Sequence, residues 1–194
     1  MPCSAMLPIG NFIELSSSGG WGRETETEGY TQTAIIRGAD FPSIQNGSYS
    51  GIPIRFEKKA KVEAVQLHAG DLVLENSGGT AARPTGRTVL VTQGMIDHFD
   101  CPVIPASFCR LLRFSSSVDS AFAYYWLQNM YRSGRTWAYQ NRSTGLSNFQ
   151  YKVFSKTEMF PVISIEKQRS ISSILLSLDK KRIINNRLNV YLAA

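Results

Sequence analysis

Cysteine and histidine are scarce in this chain: it has three cysteines, Cys3, Cys101 and Cys109, and two histidines, His68 and His98. None stands at a metal-ligand spacing, which excludes zinc-finger chemistry and leaves no metal site to expect. A small, odd cysteine count also argues against a disulfide framework and for a reduced, cytoplasmic setting. No apolar run approaches the roughly 18 residues of a membrane span, and no leader pattern is read at the start, so no membrane role is expected. A phosphate loop is missing too. In GDLVLENSGGTAARPTGRT (70–88) the glycines Gly79 and Gly86 lie too far apart, and Arg87 stands where a phosphate-binding loop needs lysine. No nucleotide or other cofactor is expected. The stretch reads instead as two strands joined by a glycine-rich loop, with Arg83 and Arg87 unexplained.

Acidic residues are missing from one region. None lies between Asp119 and Glu158, where Arg132, Arg135, Arg142, Lys152 and Lys156 do lie. The same stretch holds ten aromatics, including Trp126, Trp137, Tyr139 and Phe149. The first thirty residues show the reverse bias, with Arg23 against Glu14, Glu24, Glu26 and Glu28. The whole chain of 194 residues carries a net charge of +6 and is 43% hydrophobic, enough for one domain with a sizeable core. Cations mixed with aromatics suit nucleic acid, since cations meet phosphates and flat rings meet bases. Some of those rings read as core, because Phe122, Trp126 and Met130 recur at helical spacing.

Along the chain, residues 1–30 read as irregular lead-in. Residues 31–114 read as short strands at 33–37, 52–55, 61–67, 71–75, 87–92 and 110–114. Asn46-Gly47, Gly51 and the Ala69-Gly70-Asp71 corner mark turns. The spacings leave no room for crossover helices, so the sheet is expected to be mixed or mostly antiparallel. Ser116 and Asp119 form a capping pair before AFAYYWLQNMYR, a helix that Gly134 stops. A polar loop follows, then a short strand at 151–154, and Pro161 closes the domain. From Ser164 the chain contains neither glycine nor proline, which predicts one helix of about 27 residues, roughly 40 Å long. Ile171, Ile174, Leu178, Leu188 and Leu192 fall on one heptad seam, interrupted by Lys181 and Asn185. One helix cannot bury such a stripe alone, and an Asn at a seam position can fix register and partner number. The expected class is α+β: a β-rich head over 1–160, then a coiled-coil-like spacer over 161–194.

The tail resembles the helical region of type I restriction-modification DNA specificity subunits. The match rests on Pro161, Ile163, Glu166, Gln168, Arg169, Ile171, Ile174, Leu175, Leu178 and Asp179. GGWGRE, IIRGADFP (35–42), IPIRFEKKAKV (52–62) and GDLVLENSGG with PTGR resemble a target recognition domain of that family. The resemblance covers nearly the whole chain, although such a subunit commonly carries two recognition domains and two helices. It implies a non-catalytic protein that reads one half of a split DNA target and docks methyltransferase and restriction subunits. No Asn-Pro-Pro-Tyr or Asp-Pro-Pro-Tyr tetrad is present to hold a target amine. Two arrangements follow: half of a two-domain subunit, or a homodimer paired through 165–192.

Two loops are the candidate DNA surface. One is 77–87, with Ser77, Arg83 and Arg87. The other follows Arg135 and holds Tyr139, Gln140, Asn141, Arg142, Ser143, Thr144 and Asn148. Arginine pairs with guanine, Asn and Gln with adenine, and Ser or Thr with either. Lys58, Lys59 and Lys61 form a third cluster, suited to a phosphate rail or a solvated turn. Arg37 and Asp40 read as a structural ion pair. Two rival readings stand beside this one: a Mg²⁺-dependent nuclease built on Asp40, Glu57, Lys58 and Lys59, and a helix-mediated interaction module.

Overall fold

The computed structural model describes residues 5–143 and 146–192. In chain order the strands and helices begin with β1 (Met6–Pro8), β2 (Ile13–Ser18), β3 (Tyr30–Ile36), α1 (Phe41–Gln45), β4 (Ile54–Lys58) and α2 (Lys59–Val65). Next come β5 (Leu72–Glu75), β6 (Ser77–Gly79), β7 (Thr88–Leu90), α3 (Gln93–Ile96), β8 (Val103–Pro105) and β9 (Cys109–Phe114). The chain ends with α4 (Ser120–Arg132), β10 (Gln140–Ser143), β11 (Leu146–Phe149), α5 (Tyr151–Thr157), β12 (Met159–Pro161) and α6 (Ile165–Leu192). The class is α+β, as expected.

The central sheet runs β2-β9-β5-β7 and is antiparallel throughout. Beside it lies β4-β3-β8, in which β3 and β8 are parallel. All four residues of β5 are buried, because the central sheet has a core on each side. Val73 and Leu111 face a first core with Ile35, Phe41, Val62, Met95 and Ile104. Leu72, Leu74, Leu112 and Phe114 face a second, built on Phe122, Leu127, Met130, Phe154 and Phe160. A strand covered on both faces reads as a continuous apolar run, which is why DLVLE stood out. Each such fully buried side chain contributes about 1.5–3 kcal/mol.

Three expectations are corrected. Residues 61–67 are not a strand: Lys59–Val65 is a helix. Val62 and Val65, three apart, both point into the first core, a spacing that a strand would send to opposite faces. Residues 151–154 belong to a helix as well, Tyr151–Thr157, which buries Phe154 in the second core. The first thirty residues are not mere lead-in. β1 pairs antiparallel with β12, joining the two ends of the head, and β2 pairs with β9. Ile9 is fully buried, and its N–H donates to the Glu158 carbonyl.

Helix α4 begins where Asp119 accepts from the Phe122 N–H at 2.9 Å, so Asp119 is itself the cap. It ends at Gly134, whose φ of 77° is the left-handed stop that glycine permits. Helix α6 spans 28 residues. Its stretch up to Arg182 is fixed to the head by polar bonds on one face. The buried Gln168 side chain accepts from Asp119 N–H at 2.9 Å and donates to the carbonyls of Ser117 and Ile163. Asp179 accepts from the Tyr125 hydroxyl at 2.7 Å, and Arg182 donates to the Gln45 carbonyl and the Asn46 side chain. Beyond Arg182 the described side chains are exposed or partly so. Among the described residues, no helix is long and apolar enough to cross a membrane.

Candidate nucleic-acid interface

The two candidate loops meet in one small sheet, β10-β11-β6. β10 and β11 form a hairpin, and Asn148 of β11 pairs with Ser77 of β6. The Ser77 hydroxyl also donates to the Asn148 side chain at 2.5 Å. Residues 71 apart in sequence thus share one surface.

Within that surface the residues divide by what already holds them. Arg83 and Arg87 both grip Glu75, whose side chain is only 3% exposed at the end of β5. Arg87 makes a fork, Nε to Oε2 at 2.8 Å and Nη2 to Oε1 at 2.7 Å, and Nη2 also reaches the Gly38 carbonyl. Arg83 Nη1 reaches both Glu75 oxygens at 3.0 and 3.1 Å, while Nη2 donates to the Gly78 carbonyl at 2.6 Å. Hydrogen bonding to Glu75 is the largest cause of a raised Arg87 pKa, against an opposing effect of burial. Both guanidiniums are held rigidly yet stay partly exposed. That combination suits selective contact, since a pre-ordered fork loses little entropy on meeting an acceptor.

Other candidates are committed to the fold. Tyr139 is buried, and its hydroxyl donates to Glu158 at 2.9 Å. Its place in a DNA-reading set is therefore corrected: the ring packs on Phe149 and Phe154. Gln140 is spent on a clamp across the two loops. Its Oε1 accepts from the Thr85 N–H at 3.0 Å and hydroxyl at 2.6 Å, and its Nε2 donates to the Thr136 carbonyl. Arg135 pairs with Glu158 at 3.0 Å and lies over the Trp126 ring. Asn141 is exposed and Asn148 half-buried. Thr144 lies outside the described residues, as do the side chains of Arg142 and Ser143. Lys58 and Lys59 are exposed where β4 passes into α2, while Lys61 donates to the Ser18 carbonyl at 2.7 Å.

Arg37 and Asp40 form the expected pair, Nε to Oδ2 at 3.0 Å and Nη2 to Oδ1 at 2.7 Å. The backbone N–H of Arg37 also donates to Oδ2, at 2.8 Å. Both carboxylate oxygens of Asp40 are thus occupied, which disfavours a Mg²⁺ ligand there. Among the described residues no group of three His, Cys, Asp or Glu is placed to hold a metal ion.

A cavity of about 550 Å³ lies beside this surface, lined by Arg37, Arg83, Arg87 and Glu75 together with Trp21 and Phe108. The two rings are contributions that sequence reasoning missed as site residues. Phe108 sits in the turn before β9, which carried no pattern, and Trp21 lay in the stretch read as lead-in. Both are exposed, Trp21 to 40% and Phe108 to 60%.

No protein-family profile and no curated protein matches this chain. Solved structures do. One, described as the structural basis of complex assembly and conformational transition of the type I R-M system, aligns at a TM-score of 0.60 and 15% identity, covering 99% of this chain and 42% of that one. The type I restriction-modification system S subunit from M. genitalium aligns at 0.56 and 14% identity, covering 92% of this chain and 39% of its own length. The HsdS subunit from Thermoanaerobacter tengcongensis aligns at 0.53 and 14% identity, covering 97% and 40%. This chain therefore spans about two fifths of each matched structure, and over that span its fold of β-rich head and long helix is the one those proteins carry.

Proposed function

We propose that this chain is a non-catalytic DNA specificity subunit of a type I restriction-modification system. Its head reads one half of a bipartite target in double-stranded DNA. Helix α6 sets the distance to the other half and docks the methyltransferase and restriction subunits, in the cytoplasm. One observation carries the reading: β6 and the β10–β11 hairpin bring both candidate loops onto a single surface beside three arginines. The likeness in fold supports it. Arg83 and Arg87 serve as base or phosphate contacts, with Ser77, Asn141 and Asn148 on the same surface; Arg142, Ser143 and Thr144 stay candidates for contact from the sequence alone. Lys58 and Lys59 meet backbone phosphates.

The other half of the target is met by a second head, and a second copy of this chain is one source of it. Ile171, Ile174, Leu178, Leu188 and Leu192 are exposed along α6, as is Asn185. Pairing two copies about a two-fold axis buries that seam and presents the same reading surface twice, which selects a symmetric, interrupted sequence.

Selection of bound sequences from random duplex DNA, with and without the methyltransferase subunit, tests the role. The expected result is an interrupted consensus. Affinity should fall with log salt at a slope near −0.9 per phosphate neutralised. Recovery of unselected sequences with no salt dependence would refute DNA reading, and Mg²⁺-dependent cutting by the chain alone would favour the nuclease.

A further inference from the structure

We infer that the cavity between Trp21 and Phe108 receives one guanine lifted out of its base stack, held by its acceptor edge. The inference rests on the DNA-reading role and adds a second, pocketed mode of contact to it. The cavity has the size of sites that hold small organic ligands, roughly 300–1,000 Å³. Its charged side chains offer donors rather than acceptors. Each oxygen of Glu75 already accepts two guanidinium N–H groups. Arg37 and Arg87 spend Nε and Nη2 on their carboxylates and on carbonyls, which, among the described residues, leaves Nη1 of each for a ligand. A ligand that meets these guanidiniums must therefore bring acceptors. Guanine brings two adjacent ones, O6 and N7.

The rings supply the rest. Neither belongs to either hydrophobic core, so folding does not account for their exposure. Both are nevertheless anchored by their backbones. The Phe108 carbonyl accepts from Asn76 and Ser77 N–H groups, and the Trp21 carbonyl accepts from Arg55 Nε, whose guanidinium lies 4.6 Å from the indole centroid. Exposed rings on anchored backbone, lining a donor-bearing cavity, fit the stacking of a flat acceptor, and taking a base from the stack costs a few kcal/mol, least where it is unpaired.

The test compares the full chain on two duplexes of one sequence, one fully paired and one with a single extrahelical guanine, by fluorescence anisotropy. The expected result is binding about tenfold tighter to the extrahelical duplex. Phe108→Ala should remove that advantage, Phe108→Trp should keep it, and both variants should melt like the parent because the ring lies outside the cores. Equal affinity for the two duplexes would overturn the inference and leave DNA reading intact, whereas binding to neither overturns both. An equal loss on both duplexes in Phe108→Ala would make the ring an outer contact and also overturn it. Competition by dGMP without any duplex preference would assign the cavity to free nucleotides, and competition by inorganic phosphate alone to anions; either result overturns capture of a strand base. Loss of methyltransferase-subunit binding in Phe108→Ala, with DNA binding unchanged, would make the cavity a protein interface.

Discussion

Replacing Glu75 by Gln tests the physical basis of the proposed reading surface. Glu75 is nearly fully buried and accepts four charge-assisted bonds from Arg83 and Arg87, at 3.0, 3.1, 2.8 and 2.7 Å. Gln keeps the shape but loses the charge, and turns an N–H₂ group toward a guanidinium. Removing one partner of a fully buried ion pair costs about 3–5 kcal/mol. Here the arginine side chains are 36% and 21% exposed, and water will recover part of the loss. The expected destabilisation is therefore about 2–3 kcal/mol, which for a chain of this size lowers Tm by roughly 4–12 °C. Urea unfolding followed by circular dichroism measures it. A cycle with Arg87→Gln should show a coupling of about 1–2 kcal/mol, larger than with the more exposed Arg83→Gln. A loss below about 0.5 kcal/mol, the scale of an ordinary surface change, would refute the claim that this carboxylate organises the two arginines.

Three further outcomes are expected. Gln168→Ala removes two bonds between α6 and the head, to Asp119 and Ser117, and a third to Ile163 just before the helix, each worth about 1 kcal/mol; hydrogen exchange in the first turns of α6 should rise about 100-fold while the cores keep their protection. Burial pushes the Cys109 thiol up to about 12, so the unfolded chain releases that proton first. Its stabilising contribution is whole below about pH 8.5 and then falls by about 1.4 kcal/mol per pH unit toward pH 12; Cys109→Ala should flatten the loss between pH 8.5 and 10 in urea melts. Leu188→Asp, at an exposed position of α6, should change the melting of the head little but abolish self-association in light scattering; a dimer that survives it refutes pairing through the seam.

What the sequence disclosed followed the range of the interactions. Helices α4 and α6 were legible because they are long enough for periodicity to show, and β5 and β9 because both faces of their sheet are covered. The seven-residue α2 and α5 were misread. A helix of two turns buries only one or two side chains, Val62 and Val65 in one and Phe154 in the other, too few to separate a 3.6-residue period from a strand. The N-terminal strands were illegible because their partners, β12 and β9, lie about a hundred or more residues away. The candidate site shows the same limit. Arg83 and Arg87 were identifiable as loop cations, but their common partner Glu75 precedes them by eight and twelve residues across a folded loop, which no local spacing announces. Tyr139 and Gln140 sat in a polar stretch, yet contacts with Glu158 and Thr85 draw both inward.

The bonds between head and rod explain why the exposed seam of α6 has the composition it has. Gln168, Ser172, Leu175, Asp179 and Arg182 recur at helical spacing and form the face turned to the head, and most of them are polar. At about 100° per residue, the row through Ile171, Ile174, Leu178, Asn185, Leu188 and Leu192 lies roughly a third of a turn away. A face held by directional hydrogen bonds fixes the angle of the rod, whereas an apolar face would allow it to slide at small cost. The same division leaves the apolar residues outside, where a lone chain gains nothing from burying them. Heptad spacing continues past Arg182, the last residue of α6 with a hydrogen bond to the head among the described residues, so those bonds do not account for it. In the proposed pairing, this apolar row is what meets the second helix.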